Sequence, residues 1–218
     1  MRPAGKPIAA PVALVMLRHG QTDWNEAGRY QGHADPPLNA AGRAQAGALA
    51  AEMARISPSA ILSSPLQRAR ETAARIAAVC GGAVTVDARL KELSFGRWEG
   101  LVQADVKARW PDALRQWKRA PDTLRLPEGE TLAEAAARLA SLLRMLAGAR
   151  GPVALVSHDA IIRIAILAAT GQPLAAFRSI KVANASLTRF HLHRPAAGGD
   201  APRLQLAMPV DAARWSTI

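Results

Sequence analysis

Short apolar runs alternate along this chain with stretches whose apolar residues recur at helical spacing. Val12-Ala13-Leu14-Val15-Met16-Leu17 is unbroken and partly β-branched, which predicts a buried strand. Ala60-Ile61-Leu62-Ser63, Val84-Thr85-Val86 and Val153-Ala154-Leu155-Val156-Ser157 predict three more. Ser186 to Leu192 and Leu204 to Met208 predict the last two, joined by the turn-rich Ala196-Ala197-Gly198-Gly199-Asp200. A helix is predicted over 40–55, with Asn39 as its cap and Ser57-Pro58 as its stop. Its propensity is good despite Gly42 and Gly47. Ser64-Pro65 predicts the next helix, serine at the cap and proline at the first position, running to Val79 before Gly81-Gly82. Thr131 and Glu134 form a capping-box pattern ahead of Leu132, Ala135, Leu139, Leu142 and Leu146. A further helix is predicted over 160–169.

Strands alternating with helices predict a three-layer α/β/α fold, a mostly parallel sheet of about six strands with helices on both faces. Residues 87–130 are less regular and hold Trp98, Trp110 and Trp117 among the breakers Pro111, Pro121, Pro127 and Gly129. They are expected to form short helices, a small cap over the sheet edge. Residues 1–11 read as a flexible N-terminal tail and 12–218 as a single domain.

Composition adds charge. Among 218 residues, 28 Lys and Arg face 17 Asp and Glu, a formal net charge of +11. A basic balance raises the local concentration of an anionic substrate. The arginines are scattered and aromatic residues make up only 4%, so no nucleic-acid face is expected. No apolar run approaches the roughly 18–20 residues that span a bilayer, so no membrane partner is expected either. The one cysteine, Cys80, allows no disulfide within the chain and fits a cytoplasmic location.

Two strands end alike: Val12–Leu17 in Arg18-His19-Gly20, and Val153–Val156 in Ser157-His158. Ligands of open α/β sheets sit at the carboxyl ends of strands, so both imidazoles leave at the ligand edge. Either histidine alone reads as a packing residue; together they point to a shared pocket. Arg68 lies in the first turn of the helix after the second strand. An arginine there opposes the helix dipole but suits phosphate capture, as does Arg18.

These residues fall in motifs. Arg18-His19-Gly20, Thr22, Trp24 and Asn25 give R-H-G-x-T-x-W-N. Ser64, Leu66, Arg68, Ala69 and Thr72 give S-x-L-x-R-A-x-x-T. Glu92, Phe95, Gly96, Trp98, Glu99 and Gly100 give E-x-x-F-G-x-W-E-G. The chain thereby resembles the histidine phosphatase family, which includes the cofactor-dependent phosphoglycerate mutases and small phosphatases. The resemblance implies that His19 is the phosphorylated nucleophile and Glu92 the proton donor. Arg18, Arg68 and a protonated His158 would spread the charge of the phosphoryl oxygens. Asn25 would contact the phosphate, and Thr22, Gln31 and Gly32 would line the substrate side. His33 is expected at the rim, exposed to solvent. Glu99 competes with Glu92 as acid, and its expected task is tying the Trp98 turn to neighbouring backbone.

No cofactor and no metal are expected, because the cationic side chains do what magnesium does elsewhere. His191 and His193 have no acidic partner nearby in sequence and read as surface residues. One departure stands out: Asp159 follows His158 where the family often has glycine. Its carboxylate would repel a dianion unless turned away, or would hold a polar or cationic part of the leaving group. The mutases carry E-R-x-Y-G around the acid and a longer insertion, and this chain has neither. A phosphatase of small phosphate esters, nearest in look to the α-ribazole or broad-specificity phosphatases, is therefore expected. A mutase and a non-catalytic phospho-ligand module are the alternatives. The expected assembly is a monomer or homodimer.

Overall fold

The computed structural model describes residues 10–195 and 201–207. The expected N-terminal tail lies almost wholly outside the described residues, as do the 196–200 turn and Met208. Six strands make one sheet: β1 (Val12–Arg18), β2 (Ala60–Ser63), β3 (Val84–Val86), β4 (Val153–Ser157), β5 (Leu187–His193) and β6 (Arg203–Leu206). Their order is β3-β2-β4-β1-β5-β6. The first four in that order run parallel, while β5 is antiparallel to both β1 and β6.

Alternate residues of each central strand face opposite layers. Val15 and Leu17 of β1 and Ala154 and Val156 of β4 meet α2 (Ala40–Ile56) and α3 (Gln67–Cys80) through Leu49, Met53, Ala73 and Ile76. Leu14, Met16 and Leu155 join α6 (Leu132–Leu146) and α7 (Asp159–Thr170) on the other face. The 87–130 region holds the short helices α4 (Gln103–Arg109) and α5 (Pro111–Arg119) with three 3-10 turns. Trp98, Leu114, Trp117 and Leu126 bury it into the same core. The remaining helix, α1 (Asp23–Glu26), is a single turn after β1.

The register of β1 against β4 sets Arg18 opposite Ser157. The next residue of each strand is a histidine, so the two rings leave the sheet side by side.

The third helix starts later than its turn residues suggest. Helix α3 begins at Gln67, and its N-cap Leu66 has no side-chain bond. Ser64 is engaged elsewhere, with His158. Asp35 supplies the missing acceptor: its Oδ1 takes the Gln67 N–H at 2.6 Å. His191 and His193 also differ from expectation, being half-buried on β5, where His193 Nε2 meets Gln205 Oε1 at 3.0 Å.

Gly42 has a purpose that propensity hides. A Cβ on Gly42 would lie 2.0 Å from the Gln21 carbonyl oxygen, and one on Gly20 would lie 2.3 Å from the Gly42 oxygen. Helix α2 and the loop after β1 therefore touch backbone to backbone, and this contact seats His19. We expect Gly42→Ala to cost about 1–3 kcal/mol through overpacking. Gly47 is exposed in the same helix with nothing within 4 Å of its would-be Cβ. Gly47→Ala should stabilise by about 0.5–1 kcal/mol. Denaturant midpoints of the two variants check the contrast.

Candidate active site

His19 is buried at the end of β1. Its Nδ1 lies 2.6 Å from the Gly20 carbonyl oxygen. A carbonyl only accepts, so Nδ1 carries the proton and Nε2 keeps its lone pair. Arg68 Nε donates to that Nε2 at 3.2 Å. Burial first, then Arg68 and Arg18, hold the His19 pKa well below the ordinary histidine value. The ring is therefore neutral, and its free nitrogen can act as a nucleophile.

His158 lies behind it, with ring centroids 5.1 Å apart. Its Nε2 is 2.8 Å from Ser64 Oγ. That hydroxyl accepts from the Leu66 N–H and can give its own proton to the ring. In that arrangement the ring proton sits on Nδ1, which is buried with no partner among the described residues. A protonated His158 was the expectation from sequence. Instead burial, followed by Arg68, His19, Arg138 and Arg18, drives its pKa well down, so the ring is a neutral N–H donor.

Arg68 is fully buried, and its guanidinium is fixed on three sides. Besides His19, it donates to the carbonyls of Ala34 and Gly32, each at 2.8 Å. Burial lowers its pKa to about 10, so it keeps its charge at neutral pH. Arg18 donates through Nη1 to the Val182 carbonyl, and its buried Nε has no partner among the described residues.

Glu92 is buried, and its Oε1 accepts from the N–H groups of Leu93 (2.9 Å) and Ala160 (3.1 Å). Burial and then the Asp159 charge raise its pKa, against the pull of the Leu93 N–H bond, Arg68 and Arg18. The segment that carries it is clamped from α6. Arg138 donates to the carbonyls of Arg89, Lys91 and Glu92, and pairs with Glu130 at 3.1 Å. Glu99 takes no part in this. Its carboxylate accepts from the backbone N–H groups of His33, Ala34 and Phe95, tying two loops together.

A cavity of about 240 Å³ opens here, walled by Arg18, His19, Arg68 and Glu92 at its inner end. Asn25, Gln31, Gly32 and Asp159 also line it. Thr22 does not: it is fully buried as the cap of α1, bonded to Asn25. His33 is half-buried rather than exposed, its Nε2 donating to the Glu92 carbonyl at 2.9 Å. Asp159 faces the cavity but is no open hook for a cation. Arg163, one turn along α7, holds both its oxygens, at 3.0 Å and 2.7 Å.

Other wall residues went unread in the sequence: Tyr30, Phe95, Trp117, Arg163, Phe177 and Arg178. The spacing of Asp159 and Arg163 on one helix face was a signal for that pair. The aromatic wall comes from four distant segments and left no local signal. Asn184 was also missed as a support: its Nδ2 donates to Asn25 Oδ1 at 3.1 Å and to the His19 carbonyl at 3.3 Å.

This arrangement can take up a phosphoryl group. It offers a neutral ring nitrogen, two guanidinium groups, a neutral imidazole N–H and a carboxyl whose pKa is raised by burial and by Asp159. Among the described residues no cluster of side chains could hold a metal ion. None of their helices is long and apolar enough to cross a membrane.

Known proteins share the pattern. Phosphoserine phosphatase 1 of Hydrogenobacter thermophilus is 34% identical over 183 residues, covering 83% of this chain and 87% of the relative. Glucosyl-3-phosphoglycerate phosphatase of Mycobacterium tuberculosis is 36% identical over 192 residues, covering 83% and 85%. A solved structure of the mycobacterial glucosyl-3-phosphoglycerate phosphatase, complexed with VO3, superposes with a TM-score of 0.80, at 34% identity over 92% of this chain and 98% of that one. The α-ribazole phosphatase of Shigella flexneri shares the fold, with a TM-score of 0.76 at 24% identity, covering 90% and 96%. The family model described as histidine phosphatase superfamily, branch 1, matches residues 14–197. With its paired histidines at neighbouring strand ends, the chain belongs to the histidine phosphatase superfamily.

Proposed function

We propose that this chain is a metal-independent phosphomonoester hydrolase acting on a small phosphorylated metabolite through a phosphohistidine on His19. The observation that carries this reading is the His19 tautomer. Nδ1 is pinned to the Gly20 carbonyl, and the lone pair of Nε2 lies beside a buried arginine on the cavity wall.

In the first step the His19 Nε2 lone pair attacks phosphorus. The bond from phosphorus to the leaving oxygen breaks, and Glu92 gives that oxygen its proton. Arg18, Arg68 and the Nδ1–H of His158 take the phosphoryl oxygens, which gives partners to the unpaired Arg18 Nε and His158 Nδ1. Arg68 Nε turns from His19 to an oxygen as the nitrogen engages phosphorus. In the second step the Glu92 carboxylate takes a proton from water. The water oxygen bonds to phosphorus, the P–N bond breaks, and His19 recovers its lone pair. Asn25 and Gln31 border the phosphoryl on the substrate side. The lone Cys80 favours a cytoplasmic setting, and the protein works as a monomer or homodimer.

Hydrolysis of phenyl phosphate in chelator, with no added metal, tests the reading. Turnover is expected throughout; turnover that starts only with added bisphosphoglycerate points to a mutase, and none on any ester to a binding module. The pH profile has a worked sign. The productive form has His19 neutral and Glu92 protonated. His19 is shifted down, so the acid limb of kcat/KM lies below the ordinary histidine range. Glu92 is shifted up, so the alkaline limb lies above the ordinary carboxylate range. Asp159→Asn removes a negative charge beside Glu92, so the alkaline limb should move to lower pH. An unmoved limb contradicts the assignment of that limb to Glu92.

A further inference from the structure

The buried guanidinium of Arg68 carries its charge without a carboxylate beside it. No ion pair among the described residues includes it. Its two terminal nitrogens rest on neutral acceptors, Nη1 on the Ala34 carbonyl and Nη2 on the Gly32 carbonyl. A carboxylate in their place would cancel the charge that phosphoryl oxygens need. Carbonyls fix the fork and leave the charge in place.

Behind those carbonyls stands Glu99. Its Oε1 accepts the His33 N–H at 2.9 Å, and its Oε2 accepts the Ala34 N–H at 2.8 Å, a proton shared with the Gln31 carbonyl at 3.0 Å. The Gly32 carbonyl and the His33 N–H are the two polar ends of one peptide group. Arg68 and Glu99 therefore hold opposite edges of the same plane, and at Ala34 they hold the two polar groups of one residue. Hydrogen bonds in such a chain polarise one another, so the carboxylate strengthens the carbonyls that grip the guanidinium.

The loop is shaped for this contact. Gly32 has a φ of +54°, and a Cβ there would lie 2.1 Å from Glu99 Oε1, so glycine is what lets the carboxylate reach the peptide. Asp35 ties the far end of the loop to the Gln67 N–H, one residue before Arg68. The Phe95 N–H, at 3.1 Å from Oε1, anchors the carboxylate itself. Burial lowers the Arg68 pKa, and the charges of Glu92, Asp35 and then Glu99 act against it.

We propose that Glu99 is a positioning residue for the reaction: through the Gly32–His33 peptide and Ala34 it fixes the guanidinium of Arg68 against the transferring phosphoryl group. This rests on the phosphatase reading and adds a residue to it.

Glu99→Gln keeps the size of the side chain and one acceptor oxygen, and removes the charge. Its kcat/KM should fall by about tenfold to a hundredfold, the scale at which supports behind a site act. The fall should be equal for p-nitrophenyl phosphate and ethyl phosphate, because Arg68 holds the phosphoryl group and not the leaving oxygen. A double-mutant cycle with Arg68→Met then isolates the route. In the Arg68→Met background, Glu99→Gln should change kcat/KM by less than about twofold. An equal loss in both backgrounds is what lost stability gives, and it overturns the proposal. A loss confined to ethyl phosphate makes Glu99 an acid and also overturns it. A second measurement needs no change at Arg68: the exchange of its Nε–H proton with water, followed by NMR on the full chain. Glu99→Gln should speed that exchange by at least about tenfold, as losing a charge-assisted support requires. An unchanged exchange rate overturns the positioning role even where turnover falls. Absence of turnover by the wild type on every ester overturns the phosphatase reading alone, and the exchange rate still decides whether Glu99 holds Arg68.

Discussion

Replacing His19 with alanine is expected to reduce turnover of any phosphate ester by about 10⁴-fold or more, the scale seen when a nucleophile is deleted from a preorganised site. The arginines and Glu92 would remain, so substrate would still bind. His158 is a poor second candidate for the covalent step, because it is fully buried with its Nε2 occupied by Ser64 and its Nδ1 is the nitrogen read above as an N–H donor. Circular dichroism separates this loss from unfolding. A folded His19→Ala protein that still hydrolyses phenyl phosphate at wild-type rates would contradict the nucleophile.

The second large effect is a split one. Glu92→Gln keeps the shape and the carbonyl oxygen that accepts from Leu93 and Ala160, and removes only the proton traffic. Loss of a general acid costs about 10²–10⁴-fold, so alkyl phosphates should lose rate in the first step. p-Nitrophenolate leaves without a proton, so phosphorylation of His19 by its ester should survive. Dephosphorylation still needs a base, and the variant has none. Rapid mixing with p-nitrophenyl phosphate should therefore show a burst of one nitrophenolate per site, followed by a slow steady rate. A steady rate equal to that of the wild type would move Glu92 out of the second step.

Local pattern carried the sheet and the two histidines. A short unbroken apolar run, partly β-branched and bounded by turn residues, fits a strand buried on both faces, and the residue after it is what leaves the sheet. Arg68 was legible for the same reason, because the residues around it follow β2 directly. What the sequence hid depends on contacts across the chain. Ser64 reads as a helix cap, but His158 takes its hydroxyl, so the helix starts at Gln67 with Asp35 as acceptor. Thr22 reads as a substrate contact, but it caps α1 in full burial. A charged His158 follows from the family resemblance, but burial first, and then Arg68, His19, Arg138 and Arg18, push its pKa down. Asp159 reads as an open carboxylate until Arg163 closes on it from the next turn. Gly42 reads as a weak helix position, because nothing nearby in sequence reports that Gln21 lies against it.

The proposed mechanism rests on one covalent event, the arrival of phosphorus on Nε2 of His19. The direct measurement mixes Glu92→Gln with p-nitrophenyl phosphate, quenches in alkali, digests the chain and locates the added phosphoryl group by mass spectrometry. One phosphoryl per chain on His19, stable in alkali and lost in acid, is the predicted result. A nitrophenolate burst with His19 unmodified, or with the phosphoryl group on any other residue, would contradict it.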